Sequence, residues 1–206
     1  MINKNIIIVS NLTMNFPIKR DNYLSKKQYI RAVDNVSFNI NHGDSIGIVG
    51  ESGSGKTTVG RMISRLLKPS SGTIIYEGNN VTNISGKELK LYMPNIQTVF
   101  QDPYTSLNPR LTIGEIISEP MKINKWGSKN KINKRTKHLI DLVGLPHTSI
   151  NRYSSEFSGG QRQRIAICRA IAINPKIVIC DEAVSALDVS MQAKILNLLV
   201  DLKNNL

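Results

Sequence analysis

The sequence predicts an α/β fold built on a parallel sheet, and three observations carry that expectation. Short Ile- and Val-rich runs recur along the chain, amphipathic helical patterns fall between several of them, and a glycine-rich segment joins one such run directly to one such helix. Buried strands alternating with helices are the pattern of a parallel sheet, because each parallel connection needs a crossover to return the chain. At 206 residues and 40% hydrophobic composition, the chain has material for one sizeable core, or one core carrying a subdomain.

Strands are expected at Ile6–Val9, Val33–Ile40, Ser45–Val49, Gly72–Tyr76, Ile96–Phe100 and Lys176–Cys180, each bounded by Gly, Asn, Asp or Pro. Val59, Met62, Ile63, Leu66 and Leu67 form one apolar stripe at helical spacing, with Pro69 as the stop. Met191, Ile195, Leu198, Leu199 and Leu202 repeat the pattern near Leu206, after Asp188 and Ser190 as candidate caps. Between about Tyr104 and Arg152 strand signals fade and Lys-rich helical segments dominate. One of these, Lys131–Val143, ends at Gly144 with Pro146 beyond. This middle stretch reads as a helical subdomain inserted into the core. No internal repeat is present.

Composition excludes some classes. The longest purely aliphatic stretches, such as Ile6–Val9, fall far short of the ~20 residues that cross a bilayer. No secretory leader opens the sequence, so a cytosolic chain is expected. Cys168 and Cys180 lie among apolar neighbours without Cys or His at ligand spacing, and are expected to be small buried hydrophobes. The net charge of +12 comes mostly from scattered Lys, with one dense run, Lys122 to Lys137, holding seven basic residues and no acidic one. Such a run is either a solvated helical face or a partner surface.

The sharpest chemical signal is Gly50-Glu51-Ser52-Gly53-Ser54-Gly55-Lys56-Thr57, followed by Thr58, between an expected strand and an expected helix. Glycines let the backbone turn tightly so that successive N–H groups face phosphate oxygens, and the helix N-terminus adds partial positive charge. Lys56 then reaches the β- and γ-phosphates and the Thr57 hydroxyl binds Mg²⁺. A second element, Ile177-Val178-Ile179-Cys180-Asp181-Glu182, is an apolar run ending in two acids. Beside a phosphate loop, Asp181 suits Mg²⁺ and Glu182 suits a base that polarises the attacking water. Together they predict a nucleotide hydrolase. A third element, Ser158-Gly159-Gly160-Gln161, opens an apolar-periodic helix and is also a good N-cap sequence.

With that third element the chain resembles the ABC ATPases, in which such a signature lies between the glycine loop and the Asp-Glu pair. The resemblance spans nearly the whole chain. It implies a phosphate-loop NTPase core with a parallel sheet, an N-terminal antiparallel β subdomain and an inserted helical subdomain, arranged as 1–103, 104–170 and 171–206. Gln101 matches the family's glutamine loop, which touches Mg²⁺ and water, and Ser185-Ala186-Leu187-Asp188 matches the loop that crosses the dimer interface. Phe16 falls where an aromatic stacks on adenine, with Tyr29 as its rival. Val99–Arg110, Glu156–Gln161 and Val184–Ser190 narrow the resemblance to the oligopeptide and dipeptide importer ATPases, a group that includes nickel and glutathione importers.

The resemblance implies ATP and Mg²⁺ as ligands, and a second ABC ATPase subunit whose signature completes each site. It also implies transmembrane permease subunits, a solute-binding protein acting indirectly, and a peripheral place on the cytoplasmic face of the membrane. Nucleic acid is not an expected partner. One departure stands out: the family's switch histidine follows the D-loop on a later strand, and His42, His138 and His147 all lie upstream of it. The chain therefore reads as C-terminally truncated, with a nucleotide-binding fragment that does not hydrolyse as the alternative. A soluble ABC ATPase acting on nucleic acid or the ribosome fits less well, because the sequence has no room for the long insertions such proteins carry.

Overall fold

Two long strands open the described chain and pair with each other, β1 (Asn5–Pro17) running antiparallel to β2 (Tyr29–Asn41). The computed structural model describes residues 5–18, 27–182 and 189–205. The chain divides into two units, Met1–Leu91 and Tyr92–Leu206.

In the first unit β1 is central. Its other edge takes β3 (Ser71–Tyr76), which pairs with the short β4 (Asn79–Asn80), giving an antiparallel sheet of order β2-β1-β3-β4. Both strands of the first pair run longer than the aliphatic runs Ile6–Val9 and Val33–Ile40. Irregularities in the ladder let polar residues continue it, and Asn11 and Asn35 sit there at positive φ, a conformation Asn tolerates. Ile7, Leu12 and Ile74 of the sheet are fully buried, as is Met62 of α1 (Lys56–Ile63). Full burial of one such side chain contributes about 1.5–3 kcal/mol.

Helix α1 ends before the stripe that predicted it. Ser64 is the C-cap, Arg65 is left-handed at φ +60°, and the Leu67 N–H returns to the Arg61 carbonyl at 2.9 Å, so Leu66 is exposed rather than on the apolar face. The chain turns there, ahead of Pro69. The expected strand Ser45–Val49 is also corrected. It carries no ladder among the described residues, and Ile46, Ile48 and Val49 are exposed. Alternating apolar residues favour extended backbone, but a strand exists only where a neighbour takes its N–H and C=O groups.

The second unit begins, after α2 (Gly86–Tyr92), with β5 (Ile96–Val99), paired in parallel with β6 (Ile177–Cys180). Register runs from Ile96 opposite Ile177 to Val99 opposite Cys180. The connection between the two strands is helical: α3 (Pro103–Ser106), α4 (Ile113–Ile123), α5 (Lys129–Leu142) and α6 (Gly159–Ile171). Each of α4, α5 and α6 starts where the sequence supplies a cap. Thr112 and Glu115 form a capping box, Ser128 accepts from Lys131 N–H, and Ser158 and Gln161 form a second box. Gly144, at φ +65°, follows the C-cap of α5.

One apolar cluster unites these helices with Val99 and with Ile195 of α7 (Val189–Asn205), and includes Ile113, Ile117, Met121, Leu139 and Ile165. Leu198 and Leu199 pack against it, as the C-terminal stripe predicts. Ser190 lies inside the first turn of α7 rather than at its cap. Cys168 is fully buried as expected, its thiol donating to the Leu139 carbonyl at 3.2 Å. Cys180 is exposed instead, because it ends β6, where the strand leaves the core. No described helix is long and apolar enough to cross a membrane.

Candidate functional site

In the first unit, Gly50 to Lys56 form a loop closed on its own lysine. Lys56 Nζ donates to the carbonyls of Gly50 and Glu51 at 2.8 and 2.7 Å, and Ser54 N–H returns to the Glu51 carbonyl at 3.2 Å. Gly53 and Gly55 are both left-handed, at φ +81° and +94°. Gly55 is the N-cap of α1 and offers no side chain to it, so the first-turn N–H groups of Lys56, Thr57 and Thr58 point out of the helix along its axis. A Cβ on Gly55 would lie 2.2 Å from the Ala32 carbonyl oxygen, so only glycine fits where the loop crosses β2. Glu51, Ser52, Gly53 and Ser54 are exposed; Lys56, Thr57 and Thr58 are half-buried. An N-terminus of this kind, with an ammonium held at its rim, suits a multiply charged anion.

The two adenine candidates sit at the same end of the β1–β2 ribbon on opposite faces. Phe16 pairs with Ile30 and Tyr29 with Pro17, and cross-strand partners share a face. Phe16 lies two residues beyond Met14, across a register shift of the ladder, and the partner of Met14 is Val33, whose Cγ2 is 3.1 Å from the Cβ position of Gly55. Phe16 is half-buried, whereas Tyr29 is 55% exposed.

In the second unit, the carboxyl ends of the parallel pair carry the polar residues. Asp181 N–H donates to the Val99 carbonyl at 3.0 Å, extending the ladder by one residue. Glu182 is left-handed at φ +46°, a strained state for a residue with a side chain, and its carboxylate accepts from Gln101 Nε2 at 2.7 Å. The structure thus brings Gln101 and Glu182 together across 81 residues of sequence. Asp188 and the loop before it lie outside the described residues.

Ser158, Gly159, Gly160 and Gln161 form the first turn of α6. The Ser158 hydroxyl accepts from Gln161 N–H at 3.4 Å, and the Gln161 side chain accepts from Ser158 N–H at 3.0 Å. The N-cap reading of Ser158 is therefore correct, and it leaves Gly159 and Gly160 at a helix N-terminus without side chains in the way.

Sequence reasoning missed the residues that hold this unit's polar segments in place. Asp102 caps α3, its carboxylate accepting from Tyr104 N–H at 2.8 Å, and Pro103 takes the first helical position. An Asp-Pro pair is a legible helix start, passed over because α3 is so short. Arg162 lies 4.0 Å over the Tyr104 ring, and Arg169 Nη1 donates to the Ser106 carbonyl.

The family model described as ABC transporter matches residues 33–185. The chain is 47% identical over 189 residues to the oligopeptide transport ATP-binding protein AppF of Bacillus subtilis, covering 91% of this chain and 57% of that protein. It is 45% identical over 201 residues to the glutathione import ATP-binding protein GsiA of Salmonella paratyphi A, covering 98% of this chain and 32% of that protein. The chain thus spans little more than half of the first relative and a third of the second.

Among solved structures it is similar to the dimeric ATP-binding cassette MJ0796 in a post-hydrolysis state bound to ADP and Pi. The TM-score is 0.84 at 31% identity, with 97% of this chain and 83% of that one covered. It is also similar to cbiO1 of Clostridium perfringens, part of the ABC transporter complex cbiONQ. There the TM-score is 0.82 at 27% identity, covering 99% of this chain and 76% of that one. Glycine loop, paired acids, capped signature helix and a family match across three quarters of the sequence converge, and the chain belongs to the ABC transporter family.

Proposed function

We propose that this chain binds ATP with Mg²⁺ and is the ATP-hydrolysing part of an importer for peptides or related solutes. The observation that carries the reading is the loop: two left-handed glycines wrap the backbone around Lys56 Nζ at the N-terminus of α1. ATP supplies the anion such a cradle fits, with Gly50 to Thr58 around its phosphates and Phe16 at its base. Lys56 exchanges two carbonyl partners for phosphate oxygens, which gives a stronger, charge-assisted bond.

Mg²⁺ is a hard cation that takes few protein oxygens and completes its shell with phosphate and water. The hydroxyl of Thr57, the amide oxygen of Gln101 and the carboxylate of Asp181 are donors of that kind. Glu182 is the candidate for polarising the attacking water, and Gln101 holds its carboxylate in orientation. The remaining work is positioning and electrostatics, as in other phosphoryl transfers.

Ser158, Gly159 and Gly160 present a helix N-terminus of their own, suited to the γ-phosphate held by a second ABC ATPase subunit. Transmembrane permease subunits, with a solute-binding protein upstream, would then receive the motion at the cytoplasmic membrane face. Peptide import as the task rests on the names of the relatives.

The test is Mg-ATP turnover at several protein concentrations, with Lys56→Ala as the blank. Specific activity that rises with concentration supports a site shared between two chains. ATP binding without turnover above the blank reduces the role to nucleotide binding. A salt-sensitive gel shift with RNA or duplex DNA at near-physiological ionic strength would instead favour a nucleic-acid-directed ATPase.

A further inference from the structure

The six lysines between residues 122 and 137 have no part in the nucleotide reading, yet the structure gathers them at one corner. Helix α4 ends at Ile123, the chain turns through Asn124 and a left-handed Lys125 at φ +49°, and α5 begins at Lys129. Lys122, Lys125, Lys129, Lys131, Lys134 and Lys137 are all exposed. Ile132, Thr136, Leu139 and Ile140 form the buried stripe of α5, so Lys134 lies opposite it and Lys131 and Lys137 flank that line. At the tip of the corner Ile123, the last residue of α4, is 73% exposed, directly after Lys122 and two residues before Lys125.

Two of the nearby acids have partners of their own. Glu115 closes the capping box of α4 with Thr112 while also facing Lys122, and Asp141 pairs with His147 at 2.8 Å. Two further details decide the kind of partner. Arg135, the one arginine of the run, turns inward and donates to the carbonyls of Ile171 and Ala172, leaving ammonium groups without a planar fork for base edges. The Trp126 ring packs on the core and is covered by Lys131 Nζ at 4.4 Å, so it is no stacking platform for a nucleobase. A field of lysines around an exposed aliphatic tip and a half-buried tryptophan instead matches a surface of diffuse negative charge over an apolar interior.

We propose that the α4–α5 corner, with α5 as far as Lys137, docks on an anionic phospholipid surface. The lysines lie over the headgroups and Ile123 enters the boundary below them. This contact does not depend on nucleotide, and it stands or falls separately from ATP hydrolysis.

The test is co-sedimentation of the full chain with vesicles of phosphatidylcholine, without and with about 30% phosphatidylglycerol. Binding is expected only to the anionic vesicles, and it should weaken steeply as ionic strength rises from about 0.05 to 0.5 M. Each lysine near such a surface contributes about fivefold in partition. The quadruple change Lys125→Gln, Lys129→Gln, Lys134→Gln and Lys137→Gln should therefore lower the partition coefficient on the order of a hundredfold or more. The same charge removed from exposed Lys27, Lys68, Lys87 and Lys90 should leave it within about threefold, since those lysines belong to the other unit and not to the run from 122 to 137. Ile123→Ser should weaken binding several-fold without changing its salt dependence. All substituted side chains are exposed, and thermal melts should coincide. Equal binding to neutral vesicles, equal loss in the two quadruple variants, or binding to duplex DNA or polyglutamate but not to anionic vesicles would each overturn the proposal.

Discussion

Gln101 and Glu182, 81 residues apart in sequence, meet at 2.7 Å where the amide of one donates to the carboxylate of the other. The contact follows from register: β5 and β6 run parallel and end together at Val99 and Cys180, so the residues just beyond each strand are neighbours. If Glu182 polarises water and Gln101 only orients it, the two variants should separate. Glu182→Gln is expected to keep ATP affinity within about threefold and to lower kcat by 10² or more. Gln101→Ala should lower kcat about tenfold. Lys56→Ala should weaken ATP binding first. Equilibrium binding beside single-turnover rates checks all three, and ATP affinity in Glu182→Gln as poor as in Lys56→Ala would remove the base assignment.

Two glycines of the loop should differ sharply. Gly53 and Gly55 are both left-handed, but a Cβ on Gly53 meets nothing within 4 Å, while one on Gly55 falls 2.2 Å from the Ala32 carbonyl oxygen. Gly53→Ala then carries only the left-handed cost, about 1–2 kcal/mol. Gly55→Ala adds a backbone collision and should destabilise by roughly 3 kcal/mol or more. Urea unfolding of the two variants gives the comparison, and equal losses would mean that the loop moves off β2 at little cost.

Much of this was legible because the signals were local. The caps at Ser158 and at Gly144, the glycine loop and the Asp181-Glu182 pair each follow from residues within a few positions of one another. The apolar period of α7 was read for the same reason. What failed depended on partners distant in sequence. Ser45–Val49 alternates like a strand but has no ladder among the described residues, and Leu66 continues a stripe after the backbone at Arg65 has already turned. Cys180 has apolar neighbours in sequence, yet its place at the end of β6 exposes it. The Gln101–Glu182 bond and the arginine contacts to α3 came only with the fold.

Acid should weaken the second unit through two capping carboxylates. Glu115 is held below the usual carboxylate range first by the hydrogen bond from Thr112 N–H and then by the Thr112 hydroxyl. Glu156 is held low first by Tyr153 N–H and then by Arg152. A carboxyl with a depressed folded value contributes stability that is fully present above the unfolded value, about 4.3, and is lost as pH falls through the folded one. Thermal melts from about pH 6 to pH 3 should therefore show a falling Tm. In the double variant Glu115→Gln, Glu156→Gln the slope should be shallower, with a lower plateau near neutrality. An unchanged slope would show that these caps do not titrate with folding.

The signature helix is fastened to the segment that follows Gln101, and this fastening should be measurable. Arg162 donates from Nε to the Phe157 carbonyl at 2.9 Å and from Nη2 to the Ser155 carbonyl at 3.0 Å, with its guanidinium 4.0 Å over Tyr104. Two turns further along α6, Arg169 donates to the Ser106 carbonyl. Both arginines therefore grip α3, which Asp102 caps immediately after Gln101. Lysine keeps the charge at position 162 but lacks the planar fork that makes two hydrogen bonds while stacking. A double-mutant cycle of Arg162→Lys with Tyr104→Leu should return a coupling of about 0.5–1 kcal/mol in urea unfolding. Turnover should fall several-fold in either single variant, with ATP affinity nearly unchanged, because the phosphate site proposed above is built from the glycine loop and not from α3 or α6. Additive stabilities, or an affinity loss as large as the rate loss, would mean that Arg162 only packs and does not position the Gln101 segment.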